Sequence, residues 1–228
     1  MRPARPWLPC AALAAALMLG SCSRPARIQP LSGADSARVT EENLKHRAMT
    51  ADFFRDDPGS PFRRDSSIRF DGLRWFPVNP LFRVQSRLHR YENPETVNVQ
   101  GTRGEIRRQL RYGHFTFTLP DPEGNAVTLR LNAYKFTPSD GQRFLLFPHH
   151  LSVWFTDLTT GKETYHVGRY VDVGEELPGD SLYTLDFNKA YNPYCAYSAL
   201  YSCAVPREED RLEIEVRAGE MIYGGSAH

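Results

Sequence analysis

The sequence predicts a mainly β domain, an antiparallel sandwich or barrel-like fold with one amino-terminal helix. Three observations carry that prediction. Beyond Gly72 apolar residues recur at every second position in short segments, clusters of turn-forming residues separate those segments, and one stretch of helical period precedes them.

In chain order, the first element is a leader. Arg2 and Arg5 precede an apolar run, Ala11 to Leu19, which closes on Leu19-Gly20-Ser21-Cys22. The run is well short of the roughly 20 residues that a bilayer-spanning helix needs, so a spanning segment is the weaker reading. Basic start, apolar core, small residues and then cysteine form the layout of a lipoprotein signal. The expectation is cleavage before Cys22, a diacylglycerol on its thiol and an acyl chain such as palmitate on the new amino terminus. Secretion without a lipid is the alternative, but it leaves the position of Cys22 unexplained. Residues 1–21 are then a signal peptide, 22–35 a tether rich in proline and small polar residues, and 36–228 a single β-rich domain. The partner so implied is a membrane, reached through the lipid. The address is the cell envelope, and Ser23 after the cysteine favours the outer membrane, facing the periplasm, in a Gram-negative cell.

Ser36 to Arg55 reads as a helix, with Val39, Leu44, Arg47, Ala48 and Ala51 near one stripe and Phe53-Phe54 at its end. Glu41 and Glu42 sit early, where the helix dipole favours them, and Asp57-Pro58-Gly59 stops it. The strands follow. Phe82-Val84-Ser86-Leu88, Phe115-Phe117-Leu119, Val127-Leu129-Leu131 and Leu212-Ile214-Val216 each alternate. Turns are marked by Asn93-Pro94, Asp121 to Asn125, Ser139-Asp140-Gly141 and Thr160-Gly161. Thr116–Leu119 and Ala126–Leu131, joined through Asp121–Asn125, form the clearest hairpin.

Charge excludes a general nucleic-acid binder. Without Arg2 and Arg5 the chain carries 26 basic against 27 acidic residues, a balance of −1. The basic run from Arg103 to Arg111, if extended, puts Arg107, Gln109 and Arg111 on one side and Ile106, Arg108 and Leu110 on the other. A solvated strand face is the plain reading, and contact with anionic lipid or glycan the alternative. Cysteine usage fits export. Cys10 leaves with the leader and Cys22 takes the lipid, so Cys195 and Cys203 remain as an even pair, expected to form a disulfide worth roughly 2–3 kcal/mol on the chain-entropy model.

Chemistry-bearing residues concentrate in three stretches: Asp71 to Pro77, Asp157 to Tyr170, and Leu185 to Tyr197 with Cys203 beyond. Through GLRWFPVNPLFRV, FTDLTTGKETY with GRYVDV, and DFNKAYNPYCAYS with a closing RAGE, the chain resembles a bacterial family called domain of unknown function 1684. The likeness runs from about Ser66 to Ile222. It implies a compact strand-rich domain, often exported or lipid-anchored, with no established activity and so no cofactor or catalytic roles to carry over. His166 departs from the family pattern, which favours a small residue there.

The residues themselves suggest a site. Arg169 lies between Tyr165 and Tyr170, and Glu163, Asp172 and Asp186 lie on neighbouring segments. Either Arg169 pairs with Asp186 and fixes strand register, or it offers a guanidinium fork to a small anionic ligand. The candidate ligand-binding set is Glu163, Tyr165, Arg169, Asp186, Asn188 and Asn192, with the pocket expected between Glu163–Arg169 and Asp186–Cys195. Two other classes stay open: an envelope hydrolase or transferase using Asp186 or Glu163 as acid or base, and a domain that holds a protein partner on a sheet edge. A nucleophilic Cys195, served by Lys189 or a histidine, is the sharper version of the cysteine pair. No metal is expected: there is no CxxC or HExxH, and the adjacent His149 and His150 point to opposite faces of a strand. Hydrolase elbows, Walker loops and dinucleotide fingerprints are missing too.

Overall fold

The structure is a computed structural model that describes residues 26–224. The leader and Cys22, with the lipid expected there, lie outside the described residues.

Helix α1 runs Gly33–Asp56. Ser32 caps it by accepting the Asp35 amide at 3.2 Å, and Asp35 and Arg55 sit at the ends whose partial charges they complement. The buried face differs from the expected stripe. Val39, Asn43 and Phe54 are buried, while Leu44 is 55 % exposed. The helix is held partly by polar contacts: Asn43 donates to Asp186 at 3.1 Å, and the Arg47 guanidinium stacks 4.9 Å from the Trp75 ring centre. An apolar-period argument misses a face chosen that way. A one-turn helix α2, Pro61–Arg64, follows; Ser60 caps it and donates to the Phe54 carbonyl at 2.7 Å. Phe54, Phe62, Ile68, Tyr197 and Tyr223 form an aromatic cluster that seats the helical layer.

Six antiparallel strands follow: β1 Arg83–Gln100, β2 Ile106–Pro120, β3 Ala126–Lys135, β4 His150–Phe155, β5 Arg169–Glu175 and β6 Leu182–Asp186. A one-turn helix α3, Gln142–Leu146, lies between β3 and β4. The sheet order is β5-β4-β3-β2-β1-β6. Strand β1 serves two partners, Arg83–Arg87 pairing with β6 and Leu88–Gln100 with β2, and a bulge between Arg90 and Glu95 bends it. The bend curls the sheet until β5 and β6 approach each other without sharing a ladder, giving a nearly closed, barrel-like body. This is the mainly β fold with one amino-terminal helical segment that the alternation predicts.

The hairpin is as expected, with Leu119 opposite Val127 and Phe117 opposite Leu129. Phe115, Leu119, Leu131, Leu151, Leu185 and Phe187 fill the interior. Leu212, Ile214 and Val216 are buried in the same core but form no ladder strand. They run extended beside the segment after β4, tied by Leu212 N–H to the Thr156 carbonyl at 2.8 Å and Leu158 N–H to the Ile214 carbonyl at 3.0 Å. Alternation reports which side chains are buried, and burial here comes without pairing. At the other end of the chain, Ala26 accepts from the Ala126 amide at 2.7 Å and Arg27 bridges Asn125, so residues 26–28 lie on the β2–β3 turn. Among the described residues no helix is long and apolar enough to cross a membrane.

Candidate functional site

Arg169 enters β5 facing the core and is 1 % exposed. Its partner is Asp157, at 2.8 Å and with its side chain also fully buried, rather than Asp186. The guanidinium donates further to the carbonyls of Val216, Ala218 and Glu220 and lies 5.1 Å from the Phe155 ring centre. Burial pulls its pKa down and Asp157 opposes that shift. Asp157 also accepts from the amide and hydroxyl of Thr159, the Thr160 hydroxyl and the Val216 amide. The pairing with Asp186 fails because β5 pairs with β4 and β6 with β1, an order that no single sequence displays.

Asp186, 6 % exposed, accepts from Asn43, from the Asn188 amide at 3.1 Å and from the Asn188 side chain at 3.0 Å. Asn188 clamps both backbone groups of Asn79, linking the third motif stretch to the first. Asn192 is fixed by its amide to Glu220 and its side chain to the Met221 carbonyl, each at 2.9 Å. Glu163 pairs with Arg217 at the surface at 3.0 Å. Of the six candidates, Tyr165 lines one of the two cavities described below, and the other five line neither. The other five hold motif stretches to one another or, as Glu163 does, decorate the surface.

The closing RAGE completes this lock. Glu220 is fully buried, accepts from Tyr197 and Asn192, and is pushed up to about 7 by burial. Its neighbour Gly219 has φ +80°, and a Cβ there would lie 2.6 Å from the Ala190 carbonyl oxygen. Only glycine allows that approach. Phe76 N–H donates to the Gly219 carbonyl at 3.0 Å and Met221 N–H to Arg74 at 2.9 Å, so the first motif pairs with the last. Sequence reading missed Asp157 and Glu220 as members of this network; the glutamate closing a short family motif was the available signal.

An open space lies on the opposite face of β4 and β5. Trp154 stands opposite Tyr170 and Ser152 opposite Asp172, one side chain along from the core-facing pairs Val153–Val171 and Phe155–Arg169. The segment from Tyr191 to Ala204 covers this face and leaves a cavity of about 240 Å³. Phe136, Trp154, Tyr170, Tyr191, Tyr194 and Tyr201 give it aromatic walls, while Arg107, Arg143, Asp140 and Asp172 supply balanced charge. Trp154 stacks on Tyr134 with ring centres 4.6 Å apart, which fixes its indole. Two buried polar atoms on the lining residues lack partners among the described residues: Trp154 Nε1, a donor, and Gln109 Oε1, an acceptor. Gln109 donates through Nε2 to both Asp140 oxygens at 2.9 Å, which orients its amide. Arg107 is committed to Glu105 and the Ser202 carbonyl, whereas Arg143 forms no ion pair among the described residues. His150 also lines the cavity; burial lowers its pKa, so the imidazole is neutral at neutral pH. The strand face read as solvated is therefore different: Gln109 is 3 % exposed and Arg107 lines the cavity, while Ile106 is 60 % exposed.

A second cavity of about 230 Å³ is lined by Tyr165, His166, Cys195, Tyr197, Ile222 and Tyr223, among others. Cys195 and Cys203 are free thiols, and the Cys195 amide donates to Cys203 Sγ at 3.3 Å. Cys203 lines the first cavity and Cys195 the second, so the pair stands between them. Among the described residues no group of three or more histidines, cysteines and acids is placed to hold a metal ion.

An uncharacterized protein of Haloarcula marismortui, solved in solution by NMR, is similar at 31 % identity and a TM-score of 0.57, the match covering 82 % of this chain and 96 % of that one. No curated protein matches. Residues 68–221, which contain the Arg169–Asp157 pair, the Asn79–Asn188 clamp and the RAGE closure, match a family model described as "Protein of unknown function (DUF1684)", and the chain belongs to that family.

Proposed function

We propose that this is a lipid-anchored cell-envelope domain that binds a small ring-bearing molecule in the cavity between β4–β5 and the Tyr191–Ala204 segment. The supporting observation is an aromatic-walled space that also carries Arg143, which forms no ion pair among the described residues. The aromatic walls fit a planar ring. Two arginines set against two aspartates favour a neutral or zwitterionic ligand over a bare anion. The expectation of an anionic ligand rested on Arg169, whose charge is spent on Asp157.

A hydrolase or transferase using Asp186 or Glu163 as acid or base gains no support from the geometry. Asp186 is buried and bonded, Glu163 is paired with Arg217 at the surface, and neither lines either cavity; Glu220, though raised to about 7, is fully buried and lines neither too. The lipid on Cys22 is supported by the leader, and cleavage with acylation is checked by the mass of the mature amino-terminal peptide.

A thermal-shift screen of the full chain against small heterocycles and aromatic zwitterions tests the binding reading. A ligand at one hundred times its Kd stabilises by about 2.7 kcal/mol, a rise of roughly 5–10 °C for a domain of this size. Trp154→Phe, which trims the aromatic wall, should cut that rise, read against the variant's own unliganded melting point because Trp154 is buried. A shift that survives Trp154→Phe and Arg143→Ala unchanged would place binding elsewhere.

A further inference from the structure

The two thiols stand apart from the ligand reading, because their chemistry needs only each other and a disulfide-bearing reagent. They are eight positions apart in sequence, and the Cys195 amide holds Cys203 Sγ at 3.3 Å. Both are half-buried, and each lies on the wall of a different cavity, so each sulfur borders space a reagent can enter. Cys195 lies beside a donor: the Tyr165 hydroxyl approaches its Sγ at 3.8 Å and its carbonyl at 3.3 Å. The neighbouring Cys203 first, and then Tyr165, bring the Cys195 thiol down to about 7 against its burial, whereas Cys203 is pushed up by Cys195 and by burial. A lowered thiol beside a raised one suits the attacking and resolving roles of thiol–disulfide exchange.

We propose that Cys195 and Cys203 are a thiol–disulfide exchange pair, Cys195 attacking and Cys203 resolving, whose oxidation state sets the wall between the two cavities. The substrate class is a small-molecule or protein disulfide, R–S–S–R. The Cys195 thiolate attacks one of its sulfurs, a new S–S bond forms, the old one breaks and the first RS⁻ leaves. Cys203 then gives its proton to solvent and attacks the Cys195 sulfur, breaking the mixed disulfide and expelling the second RS⁻. Two electrons pass from the protein dithiol to R–S–S–R, which ends as two thiols once solvent protonates them. The reverse sequence, with a dithiol reductant, restores the pair. Tyr194 and Tyr201 flank the cysteines and line the larger cavity, so a bridge alters that wall directly.

The test uses the full chain, reduced with dithiothreitol under native conditions and then exposed to dithiobis-nitrobenzoate. Adducts are assigned by peptide mass, so Cys10 and Cys22 do not enter the count. The wild type should release two equivalents of aryl thiol for the pair and end as an internal disulfide with no adduct. Cys203→Ser, which keeps a donor beside Cys195, should stop at one equivalent with the aryl group held on Cys195. Cys195→Ser should label at Cys203 at least about tenfold more slowly. The proposal is overturned if the wild type retains two adducts, if Cys195→Ser reacts as fast as Cys203→Ser, or if a bridge in the folded protein resists dithiothreitol.

Discussion

Arg169 and Tyr170 are adjacent in β5, yet they serve opposite ends. Arg169 turns into the core, meets a buried aspartate and three carbonyls, and has no bond left to offer. Tyr170 turns out, donates to the Ala204 carbonyl at 2.6 Å, and helps wall the cavity. The inner face is packed shut, whereas the outer face borders open space. The contrast teaches that the densest concentration of charged and aromatic motif residues need not be the place where a ligand goes. Here those residues fasten the first, second and last motif stretches together, and the open space lies one side chain away.

Breaking the inner face should have the larger effect. Arg169→Met leaves Asp157 buried without its cation, and stability measured by chemical denaturation should fall by about 3–5 kcal/mol. A loss under about 1 kcal/mol would mean that the pair is not what locks the motifs. Next in size is the pH response of Glu220. Its folded pKa, about 7, lies above its ordinary value of 4.5, so between those limits the folded state holds more protons than the unfolded. Stability should therefore fall as pH rises through that window, and a shift of this size corresponds to roughly 3–4 kcal/mol. Asp210, raised to about 6 by burial, adds to the same slope. Glu220→Gln should remove the larger share of it, read as denaturation midpoints at pH values on either side of the window. The smallest effect belongs to the outer face. Arg143→Ala should change stability by less than about 0.5 kcal/mol. A loss approaching that of Arg169→Met would erase the distinction between the faces.

Much of the body was legible in the amino acids. Phe115, Phe117 and Leu119 alternate because β2 has one face in the core, and Asp121 to Asn125 had to turn because the glycine and flanking polar residues favour it. Where reading failed, long-range geometry was the reason. Arg169 advertises a charge but not which strand will lie beside it, and both Asp157 and Asp186 were within plausible reach. The cavity draws Arg107 and Gln109 from β2, Arg143 from α3, Trp154 from β4 and Tyr191 from a loop, and no local period connects them. Leu44 was misplaced for a related reason: Asn43, whose partner is 143 positions away, turned the helix toward a polar anchor.

The seating of residues 26–28 on the β2–β3 turn fixes an orientation. From Cys22 to Ala26 the chain can reach at most about 14 Å. The turn is one end of the hairpin, and the cavity lies near Tyr134 and Ser152, nine residues along β3 or roughly 30 Å away. Under the proposed acylation of Cys22, the hairpin tip would be the part of the body tethered closest to the membrane, and the cavity on β4 and β5 would stand away from it.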